Sequence, residues 1–416
     1  MKLLFATRWL VVAMLILCSA PVLAGFDEGD AAYKKQDYAA ALKEWLPLAD
    51  QGEARAQHQI GRLYDKGQGV KQDFAEALKW YHKAAEQGYA KSLRNIGLMY
   101  RHGEGVKQDY AEAMQWFHKA AEKGNTVAQN DIGVMYNNGE GVKQDYAEAM
   151  RWFLKAAEQG GNADAQFNIG MSYQQSKGVK QDYAEAMNWY RKAAEQGYAD
   201  AQNNIGVMYK NGLGVEQDFA AAVSWYRKAA EQGQAMAQSN LGTMYRDGKG
   251  VNQDYAEAMN WYRKAAEQEY ESAQQEIGNL YYQGHGVQQD YADALKWFSK
   301  IAEKGNAYGQ RCLGVMYYHG QGVQQSYSEA LKWLSKAAAQ GDADAQYFLG
   351  EFYEHGLYVP ISKTNALKWY RAAAKAGNAD AMDRLAKVFE DGELGQKRNL
   401  KSAQQWYDNA LRARTQ

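Results

Sequence analysis

The sequence predicts an all-α solenoid of stacked antiparallel helix hairpins, about eleven units of 36 residues. Three observations predict it. A tryptophan recurs as Trp80, Trp116, Trp152, Trp189, Trp225, Trp261, Trp297, Trp333, Trp369 and Trp406, in steps of 36 residues apart from two of 37. Both halves of the repeated stretch carry apolar residues at helical spacing. Helix-capping residues recur at matched places. A fixed period of this kind marks a repeat array.

The first half of the unit reads A-x-A-Q-x-N-[IL]-G-x-[ML]-Y-x-x-G. Its apolar positions, Ala201, Ile205, Met208 and Tyr209 in one copy, lie on one helix face. A glycine column, Gly61, Gly97, Gly133, Gly170, Gly206, Gly242, Gly278, Gly314 and Gly350, falls in mid-helix. Each such glycine costs about 1 kcal/mol against alanine. Repetition of that cost implies close approach of the partner helix.

Between the halves stands G-x-G-V-x-Q-D. Two glycines turn the chain and the valine plugs the corner. The third glycine and preceding strand of a dinucleotide-binding loop are absent, so a phosphate site is not expected. The second half reads D-[FY]-A-E-A-x-x-W-[YF]-x-K-A-A-E-Q-G. Phe74, Ala77, Leu78, Tyr81, Ala84 and Ala85 again share a face. Asp73 with Glu76 makes a capping box, and Gly88 ends the helix. Ser326, Ser362 and Asn399 keep the cap chemistry where aspartate is replaced. A single hairpin cannot bury its apolar face, whereas stacked hairpins share a continuous core. Each tryptophan and the Tyr or Phe beside it are expected to be the largest fillers.

These motifs, at 36 residues, resemble the Sel-one-like repeat (SLR) family, a branch of the tetratricopeptide-like solenoids. The resemblance covers nearly everything after residue 25. It implies a right-handed superhelical solenoid and a scaffold or adaptor role, in bacteria often exported and sometimes tied to host contact. It implies no single biochemical activity.

Along the chain, 1–24 reads as a secretory signal peptide. Lys2 and Arg8 precede an apolar run from Trp9 to Leu17, and Val22, Leu23 and Ala24 suit cleavage. The run is short for a membrane span, so none is expected after signal removal, and the expected compartment is periplasmic or secreted. Residues 25–416 form one repeat array, with an N-terminal capping unit at 25–52, regular repeats at 53–378 and a C-terminal capping unit at 379–416. In the first cap, Trp45 aligns with Tyr81 and Pro47 is expected to interrupt the helix. In the last, Ala386 replaces the mid-helix glycine. Without the leader, 46 basic residues face 49 acidic ones, a balance of −3 that offers nothing for nucleic acid to grip.

Catalytic and metal signatures are absent. The seven histidines form no H-E-x-x-H, and neither G-x-S-x-G nor S-x-x-K occurs. No cofactor is expected. A cysteine-rich branch of the family resembles β-lactamase-like hydrolases and carries paired cysteines in each repeat. The mature chain has one cysteine, Cys312, which departs from that pattern, so the chain is read as non-enzymatic. Cys312 is either a partly exposed thiol or a neutral replacement. The remaining alternative is a structural adaptor in envelope polysaccharide or secretion machinery.

Repeats carry an internal control: columns that stay constant serve the fold, and columns that vary are open to recognition. On the first helix, the positions three before, one after and four after the glycine vary and share a face. In tetratricopeptide-like folds that face lines the concave groove. Its candidate residues for a protein or peptide partner are Arg94, Arg101, Asn137, Lys210, Arg246, Tyr282, Arg311 and Tyr318. The adjacent column supplies Asn95, Asp131, Asn168, Asn204 and Asn240. It matches the asparagine that bonds a bound peptide in peptide-clamping tetratricopeptide proteins. The alternative is that each amide bonds its own neighbouring loop and holds the stack. The basic members lie mostly before residue 320, and Glu351 and Glu354 lie beyond.

Overall fold

The computed structural model describes residues 25–415, all helix and loop, with no strand among them. The leader at 1–24 lies outside the described residues. Contacts divide the chain into two compact units, 25–208 with 212–216, and 209–211 with 217–415. The first contains α1 (25–34), α2 (Tyr38–Asp50), α3 (Ala54–Lys66), α4 (Phe74–Glu86), α5 (Ala90–His102), α6 (Tyr110–Glu122), α7 (Thr126–Asn138), α8 (Tyr146–Gly160), α9 (Ala163–Gln175), α10 (Tyr183–Glu195) and most of α11 (Ala199–Asn211). The second contains α12 (Phe219–Glu231), α13 (Ala235–Asp247), α14 (Tyr255–Glu267), α15 (Glu271–Gln283), α16 (Tyr291–Glu303), α17 (Ala307–His319), α18 (Tyr327–Ala339), α19 (Ala343–His355), α20 (Lys363–Lys375), α21 (Ala379–Asp391) and α22 (Leu400–Thr415). Within each unit, helices pack on their chain neighbours as stacked hairpins, the all-α solenoid arrangement. Among the described residues, no helix is long and apolar enough to cross a membrane.

The motif between the helices closes each hairpin. Gly67 ends α3 in the left-handed conformation, and its N–H returns to the Leu63 carbonyl. The Gln72 amide donates to the Asp65 carbonyl at 2.8 Å, satisfying an orphan acceptor of the helix end. The Asp73 N–H bonds the Tyr64 carbonyl at 3.0 Å, while its carboxylate caps α4 at the Glu76 N–H. Val70 packs into the corner as expected. Gly69 fits because a β-carbon there would meet Tyr38 Cβ at 2.7 Å, on the second helix of the preceding hairpin. At the ninth such loop, Tyr358 holds a positive φ of 59° and Ile361 replaces the glutamine. Both are exposed, at 71% and 68%.

The glycine column lies where the sequence reading placed it, under the partner helix. A β-carbon on Gly97 would meet the Phe117 ring at 2.6 Å and the Ala113 carbonyl at 3.2 Å. The glutamine of A-x-A-Q has a role that the spacing did not reveal. Gln57, buried, donates to the Ala49 carbonyl at 3.0 Å and accepts from Gln87 at 2.9 Å. It thereby ties α2 to the end of α4. Gln238 and Gln310 repeat the arrangement in the second unit.

Two expectations are corrected. Most of the tryptophans do not fill the core on a par with their neighbours, although Trp80 and Trp261 are buried. Tyr81, Phe117, Tyr190, Tyr226 and Tyr262 are completely buried, whereas Trp116, Trp152, Trp189 and Trp225 are half-buried. Successive helix residues point about 100° apart, so only one of the two rings can face the glycine of the partner helix. The indole lies at the edge of the stack. Trp116 of α6 meets His82 of α4 edge-on at 5.2 Å, bonds Glu112 from Nε1 at 2.9 Å, and carries Lys119 3.9 Å above its ring. Pro47 does not interrupt α2, which runs through it to Asp50. It stands in the last turns, where only one intrahelical bond is forfeited.

Candidate protein-binding face

The varying positions of the first helices share a face within each unit, and the structure shows what their side chains touch. In the first unit they bond from one hairpin to the next. Arg94 of α5 grips Asp131 of α7 through two bonds, Nε at 2.5 Å and Nη2 at 3.3 Å. Arg101 grips Glu140 in the same way at 2.7 and 3.1 Å. Burial works against the Glu140 carboxylate, but the bonds from Arg101 and Asn138 hold its pKa below the usual range. Asp131 is more deeply buried, and burial lifts its carboxyl above the usual range although Arg94 pulls it down. Asn168 donates to Asn130 at 2.9 Å, and Asn204 reaches the Met171 sulfur at 3.5 Å and bonds the Tyr190 hydroxyl. Asn95 lies beside the Tyr81 hydroxyl, which donates to Asp65 at 3.4 Å. Asn137 donates to Asn138 at 2.9 Å.

The second unit continues the theme with other chemistry. The Lys210 carbonyl accepts from Gln217 at 2.8 Å, and its side chain is half-exposed. Asn240 is half-buried. Arg246 pairs with Asp247 at 2.8 Å and with Glu276 of the next hairpin at 2.7 Å. Tyr282 donates to Gln321 at 3.0 Å. Arg311 lies 4.8 Å over Tyr308 and pairs with Asp342 and Asp344 at 3.1 and 2.8 Å. Tyr318 packs edge-on against Tyr327, Phe348 and Phe352. Tyr347 bonds Glu351 at 3.1 Å, and Arg384 and Tyr370 both bond Glu354. The predicted residues are therefore brought onto a common face in each unit. Many of their polar groups are engaged by adjacent hairpins.

Two recesses on this face were not foreseen. One, of about 380 Å³, lies between α3 and α5 and is lined by Arg55, His58, Arg62, Lys91 and Arg94. Its signal was present in the sequence, since the three hairpins that follow carry no cation at the places of Arg62 and Lys91. The other, of about 190 Å³, is walled by Tyr282, Phe298, Tyr308 and Cys312. Burial pushes the Cys312 thiol up to about 11, so it stays protonated at neutral pH.

The comparisons with known proteins agree with the architecture. The Sel1 repeat model matches ten consecutive segments, from 54–89 to 379–413. The crystal structure of c5321, a protective antigen of uropathogenic Escherichia coli strains displaying an SLR fold, is 36% identical, with a TM-score of 0.59 over 90% of this chain and 89% of that one. A Sel1 repeat protein from Oxalobacter formigenes is 34% identical, with a TM-score of 0.52 over 58% of this chain and 96% of that one. No curated protein matches the chain. Ten matched repeats spanning most of the sequence, on the hairpin geometry described above, place this chain in the Sel1 repeat family.

Proposed function

We propose that the chain is an exported bacterial scaffold without enzymatic turnover, which captures a protein or peptide segment on the first-helix face. Repeats of this family generally mediate protein interactions. One observation carries the assignment to this face. The buried residues recur from hairpin to hairpin, Ile96, Ile132, Ile169 and Ile205 among them, while the face beside them changes from Arg101 to Asn137 to Gln174 to Lys210. Packing dictates the first set and leaves the second open. Arg and Tyr, which recur on the face, are the types that dominate interface energetics. The leader-like segment at 1–24 supports export, as does the likeness to a protein named as a protective antigen.

The test is site-specific photo-crosslinking in cells that produce the protein. A benzophenone side chain at Lys210, Tyr282 or Tyr318 is expected to yield discrete protein adducts. The same group at Lys79 or Lys296, exposed on second helices, is expected to yield none. Adducts from the second helices alone would move the binding surface elsewhere. The identity of the captured protein separates an envelope or secretion adaptor from a host-facing one, and fractionation of the cells reads the compartment. Hydrolysis of a chromogenic β-lactam by the purified chain would overturn the non-enzymatic reading.

A further inference from the structure

We propose that the basic recess between α3 and α5 binds acidic side chains of a partner segment. The inference rests on the first-helix face being a partner-binding surface, and it adds the chemical class of what one part of that face holds.

The charge of the recess is unbalanced. Arg55, Arg62, Lys91 and Arg94 line it, and no carboxylate does. Two of the four are matched by carboxylates behind them, Arg55 by Asp30 at 3.1 Å and Arg94 by Asp131 at 2.5 Å. Arg62 donates to Gln59 at 2.9 Å and to the Tyr33 hydroxyl at 3.2 Å, both neutral acceptors. Lys91 is exposed and makes no ion pair among the described residues. About two positive charges thus remain uncompensated at a concave surface. His58, which shares the recess, responds to them. Burial lowers its pKa most, and Arg62 and Lys91 lower it further.

The fold does not require these cations. At the place of Arg62, the next three hairpins carry Leu98, Val134 and Met171. At the place of Lys91 they carry Val127, Asp164 and Asp200. The array stacks equally well with apolar or acidic residues there, so a cation at both places in one recess is a local feature. Size and neighbours favour peptide carboxylates. A volume of about 380 Å³ lies in the ordinary range for bound ligands, roughly 300–1,000 Å³. The Asn95 side-chain amide beside the cations offers a donor and an acceptor suited to a peptide backbone.

Calorimetric titration of the purified chain with hexaglutamate, blocked at both ends, tests the proposal. Three further probes separate the alternatives: blocked hexaglutamine, hexaglutamine with a free terminal carboxylate, and inorganic phosphate. Hexaglutamate is expected to bind, more weakly as salt rises, and the other three to bind at least about tenfold more weakly. Lys91→Gln is expected to weaken hexaglutamate about tenfold, and Arg62→Leu, which copies Leu98, to do the same. Lys79→Gln, a charge change on α4, is expected to leave it unchanged, and circular dichroism of all three variants to match the parent. Absence of hexaglutamate binding, or equal loss with Lys79→Gln, overturns the proposal. Equal or tighter binding of phosphate, or of the hexaglutamine with a free terminus, overturns the assignment to acidic side chains. If hexaglutamate fails while crosslinkers at Lys210 or Tyr318 still capture a protein, only this inference falls. If no position on the face captures anything, the reading beneath it falls too.

Discussion

The ring of Tyr81 lies across Gly61, so close that a β-carbon on residue 61 would meet its Cδ1 at 2.6 Å. The Ala77 carbonyl, one turn earlier on α4, lies 3.3 Å from the same point. Gly61→Ala gains about 1 kcal/mol of helix propensity and meets an overpacking cost of about 1–3 kcal/mol. A net loss of up to about 2 kcal/mol is expected. Urea unfolding measures it, and faster hydrogen exchange confined to α3 and α4 localises it, because each hairpin contacts only its neighbours. Unchanged or greater stability would show that the ring yields. The chain contains its own contrast in the last hairpin. Ala386 is fully buried at the glycine position, and Tyr407, at the place of the ring, is only half-buried, with its hydroxyl on Glu390 at 2.8 Å.

Where the two adjacent rings are unequally buried, the smaller one is expected to matter more to stability than the larger. Phe117 is completely buried, whereas Trp116 is half-buried beneath Lys119. Phe117→Ala is expected to destabilise by about 3–5 kcal/mol. Trp116→Ala is expected to cost less, about 1–2 kcal/mol, mostly from the lost cation–π and partial packing contacts. Chemical denaturation of the two variants compares them directly. A larger loss from Trp116→Ala would return the indoles to the core.

This reversal marks how far the sequence could be read. The hairpins, their caps and the reason for the glycines were legible, because local geometry demands those residue types and the repeats show them ten times over. The rank of Trp and Tyr was not, since adjacent residues on a helix face different directions and composition alone favours the larger ring. The varying columns were read as one face from their helical spacing. That Arg94 would meet Asp131, or Arg101 Glu140, was invisible, because such bonds span 37 to 39 residues and join columns that vary independently. The glutamine ladder was missed for the opposite reason. A buried amide with neighbouring carbonyls and a partner glutamine has no signature in hydrophobic periodicity.

The bond from Arg94 to Asp131 has a neutral counterpart on the next rung, where Asn168 donates to Asn130 at 2.9 Å. Arg94→Ala leaves a buried carboxylate without its partner and is expected to cost about 2–4 kcal/mol. The pair of changes Arg94→Asn and Asp131→Asn copies the next rung and is expected to recover most of that loss. A double-mutant cycle by urea unfolding reads the coupling. If the double variant is as unstable as the sum of the two singles, the two rungs are not interchangeable, and the charged pair serves something the amide pair does not.

His58 supplies a pH dependence whose sign is fixed by burial. The ring packs between Tyr81 and Tyr89, with centroids 5.5 and 5.1 Å away, and its Nδ1 meets the Ser92 hydroxyl at 2.9 Å. Burial first, then Arg62 of its own helix and Lys91 of α5, push its pKa down to about 3. The unfolded chain takes up this proton below about pH 6.5, and the folded chain does not until far lower. His58 therefore lowers stability as pH falls from about 6.5 towards 3, by about 2 kcal/mol at pH 5. Phe167 occupies the same column and packs between Tyr190 and Tyr198 at 5.6 and 5.2 Å, so His58→Phe substitutes an arrangement the array already uses. Carboxylates also take up protons as the pH falls, so the informative quantity is the difference between parent and variant. His58→Phe is expected to gain on the parent progressively between pH 7 and pH 5 in urea midpoints, while leaving the stability near pH 8 little changed. Parallel profiles would mean that the imidazole accepts its proton in the folded state as readily as in the unfolded one, and that the recess around it is far wetter and less positive than its lining requires.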